Sequence, residues 1–170
     1  SFQHGPEMKL ASGKTSTFYF NMKQTMLDPE GAALIAELML DAIAADNADL
    51  VGGLEMGAVP IASAIAAVSH VQSRPVGAFF VRKQAKEHGT QSLVEGLVRG
   101  DTMRGKRVVI VEDVTTTGGS ALKAAKALEA EGAAIVQVIT IVDRLDGAAE
   151  AFRDAGLNFT PILTLNDFRS

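Results

Sequence analysis

The sequence of 170 residues contains no cysteine and few aromatic side chains, which make up 5% of the chain. Without cysteine there is no thiol nucleophile, no disulfide and no cysteine-ligated zinc, and nothing indicates an oxidising compartment. No apolar run approaches the ~20 residues that are needed to cross a bilayer, and no signal peptide is visible. These absences predict a soluble cytoplasmic protein that has no membrane partner.

Small apolar residues make up much of what the chain does contain. Hydrophobic residues account for 47% of the sequence, which suits helices packed closely against a sheet. The length fits one domain with a substantial core, and we expect a single domain over residues 1–170. The formal net charge of −4 argues against a general nucleic-acid-binding surface. Because the chain opens with Ser rather than Met, we also expect that residues are missing upstream.

Segments typical of strands and of helices alternate along the chain. Asp28-Pro29-Glu30 has the form of a helix start, with an acidic N-cap, a proline at the first position and an acid in the first turn. The predicted strands cover residues 50–54, 76–81, 108–111 and 135–142, and the predicted helices cover residues 32–45, 61–69 and 121–130. This alternation predicts an α/β fold, with a parallel sheet that carries helices on both faces.

The most informative stretch of the chain runs from Val108 to Ser120. Four β-branched apolar residues predict a buried central strand, and two adjacent acids, Glu112 and Asp113, follow it. A turn rich in threonine and glycine comes next, before an alanine-rich helix. Small residues let the backbone approach an anion, and the N–H groups and dipole of the following helix favour a phosphate.

Two carboxylates beside a phosphate cradle suit sugar hydroxyls or a hydrated cation better than a second anion. The stretch therefore predicts a site for a phosphorylated sugar. The alternative is a plain strand-to-helix connection of an α/β protein. Neither the dinucleotide fingerprint nor the nucleoside-triphosphate loop is present, so the usual phosphate motifs do not apply.

This stretch resembles the phosphoribosyl-pyrophosphate signature of the type I phosphoribosyltransferase family, in which an acidic pair holds the ribose 2- and 3-hydroxyls and the loop backbone wraps the 5-phosphate. The resemblance implies that Asp113 belongs to the catalytic residues and that Glu112 stands where the family often has Asp. The positions implied to bind 5-phosphoribosyl 1-pyrophosphate are Glu112, Asp113, Val114, Thr115, Thr116, Thr117, Gly118, Gly119 and Ser120.

A basic segment, residues 82–90, follows the apolar strand that ends at Val81. Such a cluster is often only a solvated surface. However, ligands of open α/β sheets bind at the carboxyl ends of the strands, so we expect this segment to meet the motif loop. Cations there would stabilise the negative charge that develops on a departing pyrophosphate. A mobile loop would also close over the activated sugar and exclude water.

The basic segment resembles the catalytic loop of the orotate phosphoribosyltransferases more than the loops of the purine enzymes. The resemblance implies that Lys86 assists the leaving group, while Arg82, Lys83 and His88 bind the pyrophosphate. In that family the loop enters the active site of the partner subunit, which implies a homodimer. It also implies Mg²⁺, held mainly by the substrate and water and with no certain ligand from the protein.

Orotate contacts are implied by two further segments and by the motif loop. Residues 10–21 resemble the amino-terminal hood of these enzymes, which places Tyr19 and Phe20 near the pyrimidine; the alternative is a core strand. Arg144 stands where the family pairs an arginine with the orotate carboxylate, and arginine suits bidentate carboxylate binding. The alternative for Arg144 is a surface ion pair with a neighbouring acid. Thr116 is placed to touch the base.

The resemblance runs from about residue 8 to the end and implies the type I phosphoribosyltransferase fold. A small hood would come mainly from residues 8–27 and 157–170, preceded by an N-terminal helix that is missing here. Residues 52–60 stand at the family's pyrophosphate loop, where Gly57 leaves only backbone N–H groups for binding. A tight turn before a helix is the alternative there.

The function implied by the resemblance is transfer of phosphoribosyl to orotate, which yields orotidine 5-monophosphate and pyrophosphate for pyrimidine biosynthesis. Two alternatives stay open. One is a purine or xanthine phosphoribosyltransferase, against which the basic segment and Arg144 argue. The other is a regulatory protein that senses phosphoribosyl pyrophosphate without catalysis, which should lack the cations of the basic segment.

Overall fold

The structure, a computed structural model, describes residues 2–9, 15–43, 48–84 and 92–168, without the side chains of residues 2–9 and 15–19. In these ranges the strands are β1 (Phe2–Lys9), β2 (Thr15–Phe20), β3 (Leu50–Leu54), β4 (Gly77–Val81), β5 (Val94–Glu95), β6 (Arg107–Thr115), β7 (Ala134–Asp143) and β8 (Phe159–Thr164). The α-helices are α1 (Lys23–Met26), α2 (Pro29–Ile43), α3 (Ala58–Val71), α4 (Gly119–Ala130) and α5 (Ala148–Asp154), and a 3-10 turn covers Leu165–Phe168.

The main sheet has six strands in the order β5-β4-β3-β6-β7-β8. All its pairings are parallel except the one between β4 and the two-residue β5. The predicted α/β fold with a sheet flanked by helices is therefore confirmed, with one antiparallel edge strand, β5, that was not among the predicted strands. After β3 the chain places β4 on one side of it and later β6 on the other. The strand order thus reverses between β3 and β6, where ligands of such sheets bind.

Both faces of the central strand β6 are buried, which explains its uninterrupted run of β-branched residues. Val109 and Val111 pack in a core cluster with residues of α2 and α3. Val108 and Ile110 pack in a second cluster with residues of α4 and α5 on the opposite face. A strand covered by helices on both faces has no solvent-facing positions that require polar side chains.

Several element boundaries differ from the predicted ones. The start of α2 is confirmed, since the carboxylate of Asp28 accepts the N–H of Gly31 at 3.0 Å. Strand β6 extends past its two acids, because Val114 and Thr115 pair with β7. These two residues, which were predicted to belong to the motif loop, are therefore part of the strand. Helix α5 had no predicted counterpart. It is only seven residues long, and its buried residues are Ala148 and Phe152.

The two chain ends meet beside the main sheet. Strands β1 and β2 form a separate antiparallel pair, while β8 is the edge strand of the main sheet. The 3-10 turn after β8 brings the ring of Phe168 against that of Phe20, with centroids 5.0 Å apart in an edge-to-face arrangement. In the part of the chain that is described, no helix has the length and apolar character needed to cross a membrane.

Candidate active site

The acids of the motif lie at the point where the strand order of the sheet reverses. Gly57, which follows β3, packs directly against the carboxylate of Asp113 on β6. A Cβ added at Gly57 would lie 2.7 Å from Asp113 Oδ1, so no side chain fits there without displacing the acid. Gly57 is also the N-cap of α3, and a carboxylate is favourable at the positive end of a helix. The segment after β3 and the motif are therefore in contact.

The turn after β6 forms a cleft at the start of α4. Gly118 caps the helix with φ +81, and a Cβ there would lie 2.9 Å from the ring of Phe152. The first N–H groups of a helix have no partner within it, and they suit a phosphate. The motif cleft is lined by Glu112, Val114, Thr115, Thr116, Gly118, Gly119, Ser120 and Ala121. Among the predicted binding residues of the motif, Asp113 and Thr117 do not line this cleft.

Glu112 is buried at the floor of the cleft with only 7% of its surface exposed. Burial, and secondarily the Asp113 carboxylate beside it, raises the pKa of Glu112 from its usual 4.5 to about 8. Within the described residues, Glu112 Oε1 and Thr115 Oγ1 are buried without a hydrogen-bond partner. Buried polar atoms are nearly always paired, so both atoms are suited to a ligand that carries hydroxyl groups.

Asp113 differs from Glu112 in its surroundings. It is only partly buried, and its Oδ1 accepts the N–H of Val114 at 2.8 Å. This hydrogen bond and the contact with Gly57 at the N-terminus of α3 fix the position of the carboxylate. One acid of the pair is thus buried in the cleft, while its neighbour faces the segment that follows β3.

Arg144 is held next to the motif by its backbone. Its N–H donates to the carbonyl of Thr115 at 2.9 Å, and its side chain is buried, with Nε 3.7 Å from Asp146 Oδ2. Asp143 Oδ1 accepts the N–H of Leu145 at 2.9 Å and so supports the left-handed turn at Leu145, where φ is +61. Burial also raises the pKa of Asp143. Arg144, which was predicted to bind orotate, therefore lies beside the motif. It pairs with Asp146, an acid that the sequence analysis did not name.

The basic segment begins at the end of β4, two strands away from β6. The guanidinium of Arg82 lies 3.9 Å from the carboxylate of Glu95. The backbone of Lys83 is bonded on both sides, since its N–H donates to Glu55 and its carbonyl accepts from Lys123. These two partners were not predicted, although a carboxylate inside the glycine-rich stretch 52–60 was a signal.

The remaining predicted site residues fall into two groups. Lys86 and His88 lie outside the described residues, and Tyr19 is described only as a backbone position on β2, paired with Gln3. Phe20 is buried in the core cluster between the sheet and α2, against Phe168. Its role toward a base remains a prediction, while its packing matches the core-strand alternative.

Comparison with known proteins identifies the family. Residues 23–155 match the model of the phosphoribosyl transferase domain. The chain is 59% identical over 168 residues to the orotate phosphoribosyltransferase of Rhodopseudomonas palustris strain BisB18. The aligned residues cover 99% of this chain and 89% of the relative.

Two solved structures of the Mycobacterium tuberculosis orotate phosphoribosyltransferase have the same fold. The complex with Fe(III) dicitrate aligns with a TM-score of 0.81 and 42% identity, over 96% of this chain and 89% of that one. The complex with 5-phospho-α-D-ribosyl 1-diphosphate (PRPP) aligns with a TM-score of 0.76 and 41% identity, over 88% of this chain and 82% of that one. These likenesses favour an orotate enzyme over a purine enzyme or a sensor without activity. The chain therefore belongs to the phosphoribosyl transferase family and, within it, to the orotate phosphoribosyltransferases.

Proposed function

We propose that this enzyme transfers the phosphoribosyl group of PRPP to orotate in the motif cleft, giving orotidine 5-monophosphate and pyrophosphate. The observation that carries the proposal is that the ends of three neighbouring strands, β3, β6 and β7, are in contact through the residues that follow them. One turn supplies the phosphate cradle, and the two acids precede it on the same strand. Gly57, after the end of β3, contacts Asp113, and the backbone N–H of Arg144, just after the end of β7, donates to the carbonyl of Thr115. This edge of the sheet therefore carries groups suited to binding a phosphate, a ribose, a leaving group and a base.

In the proposed reaction the bond between ribose C1 and the pyrophosphate oxygen breaks, and its electron pair stays on pyrophosphate. A ring nitrogen of orotate forms the new bond to C1 and releases its proton to water. The transition state carries positive charge on the sugar, so the charged carboxylate of Asp113 would stabilise it. The start of α4 would hold the 5-phosphate, and Glu112 with Thr115 would bond the ribose hydroxyls.

Arg144 is our candidate for binding the carboxylate of orotate. Its planar guanidinium suits a bidentate pair, and its backbone bond to Thr115 fixes it next to the turn that would hold the sugar. Thr116, which lines the motif cleft, would touch the base. Tyr19 and Phe20 remain proposed neighbours of the pyrimidine on the strength of the family resemblance.

The adjacent carboxylates Glu112 and Asp113 are hard oxygen donors, which supports our proposal of a magnesium ion that is held mainly by the substrate and water. Among the described residues no group of three or more His, Cys, Asp or Glu side chains is arranged to hold a metal. Magnesium usually keeps several waters and binds through one or two carboxylates plus substrate phosphates. Here Glu112 and Asp113 would reach it through the ribose hydroxyls, and the bound ion would neutralise charge on the leaving pyrophosphate.

The basic segment is proposed to act on the leaving group, with Lys86 assisting its departure and Arg82, Lys83 and His88 binding it. We further propose a homodimer in which the segment of one subunit serves the site of the other. Mixing inactive Lys86→Ala and inactive Asp113→Asn protein should then restore part of the activity. No recovery after proven subunit exchange would contradict this arrangement.

The central experiment is a product assay with orotate, PRPP and magnesium. We expect orotidine 5-monophosphate, identified by chromatography, only when all three are present. Asp113→Asn should lower turnover by at least about a hundredfold, since it removes charge stabilisation that is specific to the transition state. Binding of PRPP without product from any pyrimidine or purine base would instead indicate a sensor.

A further inference from the structure

The stretch proposed to hold the leaving pyrophosphate contains a carboxylate, although an anion-binding site favours positive charge. Glu55 follows β3 in the stretch proposed to hold pyrophosphate through backbone N–H groups. A negative side chain beside an anion is unfavourable, since like charges repel. The structure directs this carboxylate elsewhere, because Glu55 Oε1 accepts the backbone N–H of Lys83 at 2.8 Å. Glu55 also donates its own N–H to the carbonyl of Val81 at 2.8 Å.

The other side of Lys83 is held from a different element. Its backbone carbonyl accepts a hydrogen bond from Lys123 Nζ at 2.9 Å. Lys123 lies in the second turn of α4, the helix whose first turn lines the motif cleft. The two peptide groups that flank Lys83 are therefore bonded to the proposed pyrophosphate stretch on one side and to the phosphate helix on the other.

We infer that Glu55 and Lys123 are positioning residues that fix the backbone of Lys83 and so set the start of the basic segment relative to the leaving pyrophosphate. The inference rests on the proposed function, because it concerns the same leaving group. Neither side chain needs to touch the substrate. They act through Lys83 and through its neighbour Arg82.

The hydrogen bonds from Glu55 and Lys123 to Lys83 should matter more for catalysis than for the free energy of unfolding. Lys83 and Lys123 are exposed, and exposed charge-assisted contacts contribute little to folding. A displacement of a binding group by a fraction of its contact distance, in contrast, costs much in rate, because the group then misses the charge that develops on the leaving group. Loss of Glu55 or Lys123 should therefore change catalysis far more than it changes unfolding.

The kinetic test compares Glu55→Ala with Glu55→Gln, which keeps an acceptor oxygen at the same place. We expect Glu55→Ala to lower kcat/KM for PRPP by about tenfold or more, because a displaced Lys83 no longer meets the charge on the leaving group, with KM for orotate unchanged. Glu55→Gln should retain most of the activity. If Gln were as poor as Ala, the charge rather than the position would matter, and the inference would be overturned.

Lys123→Met should give a smaller loss of the same kind, with Lys126→Met as its matched control. Lys126 is exposed on the same helix and has no part in the proposed site. Equal effects of the two substitutions, or an equal rise in KM for orotate and for PRPP, would contradict a role at the leaving group.

A second measurement does not depend on activity. Exchange of the Lys83 amide proton, followed by NMR, should become about tenfold faster in Glu55→Ala and remain slow in Glu55→Gln, since the hydrogen bond itself gives the protection.

Titration with inorganic pyrophosphate and magnesium should show weaker binding by Glu55→Ala. An unchanged amide together with unchanged pyrophosphate binding would sink the inference. If the wild type made no orotidine 5-monophosphate but both effects were present, the proposed reaction would fail while the positioning role stood.

Discussion

The motif cleft and the start of the basic segment serve the same proposed reaction but are built in opposite ways. The cleft is formed by backbone, with a strand buried on both faces and a glycine cap packed against Phe152. The start of the basic segment is held by the half-buried side chains of Glu55 and Glu95 and the exposed side chain of Lys123. A rigid cradle suits the part of the substrate that stays in place. Weaker contacts suit a segment whose partner, the leaving group, must depart.

Substitution at Gly118 tests the rigid half of this comparison and should have the largest effect. Gly118→Ala adds a Cβ at φ +81 and against the Phe152 ring, so backbone strain and overpacking act together. We expect a loss of about 3 kcal/mol in the free energy of unfolding, measured by urea denaturation. Gly147→Ala is the matched control, since Gly147 caps α5 at φ +103 with nothing near its Cβ position. Equal losses at the two sites would mean that the contact with Phe152 contributes nothing.

Gly57→Ala should separate site geometry from stability. The new Cβ would need the space of the Asp113 carboxylate, and a catalytic group displaced by about 1 Å costs roughly a hundredfold in turnover. Steady-state kinetics should show this loss in the wild-type background. In an Asp113→Asn background the same substitution should cost much less, because the two changes act through one group. Additive losses would show that Gly57 acts independently of Asp113.

The stability of the ligand-free protein should depend on the protonation of Glu112. Its pKa in the folded protein is about 8, above the usual 4.5, so the folded state holds a proton that the unfolded state releases between these values. Stability is therefore full below pH 4.5 and falls as the pH rises toward 8, with a slope of at most about 1.4 kcal/mol per pH unit.

Urea denaturation across this pH range would measure the effect of Glu112. Glu112→Gln should remove its part of the slope and be more stable than the wild type at pH 9. Glu129→Gln, at an exposed position of α4, should leave the slope as it is. A Glu112→Gln protein with the same slope as the wild type would show that Glu112 is ionised in the folded state.

The smallest effect is expected at the start of the basic segment. Glu95→Gln breaks the ion pair with Arg82, whose atoms lie 3.9 Å apart and are partly exposed. Such pairs contribute less than about 1 kcal/mol, so the unfolding midpoint should hardly move. A loss as large as that of Gly118→Ala would contradict the contrast between the two regions.

Features that depend on local order along the chain were predicted from the sequence. The motif strand, its two acids and the cradle at the start of α4 follow one another within thirteen residues, so their chemistry could be inferred before their geometry. The start of α2 at Asp28 was predicted for the same reason, since an N-cap and its helix are neighbours in sequence. Short elements such as α5 and β5 escaped prediction, because seven or two residues carry too little periodicity to be recognised.

By itself, the sequence determined the α/β fold, the family and the types of residue that meet at the strand ends. The local backbone preferences and the periodicity of apolar residues are encoded residue by residue. Only the tertiary structure decided which side chains from distant segments share a contact. The placement of Gly57 against Asp113, of Arg144 beside Thr115, and of Lys83 between Glu55 and Lys123 depends on the order of strands in the sheet. That order follows from how all helices and strands pack together, and no single segment specifies it.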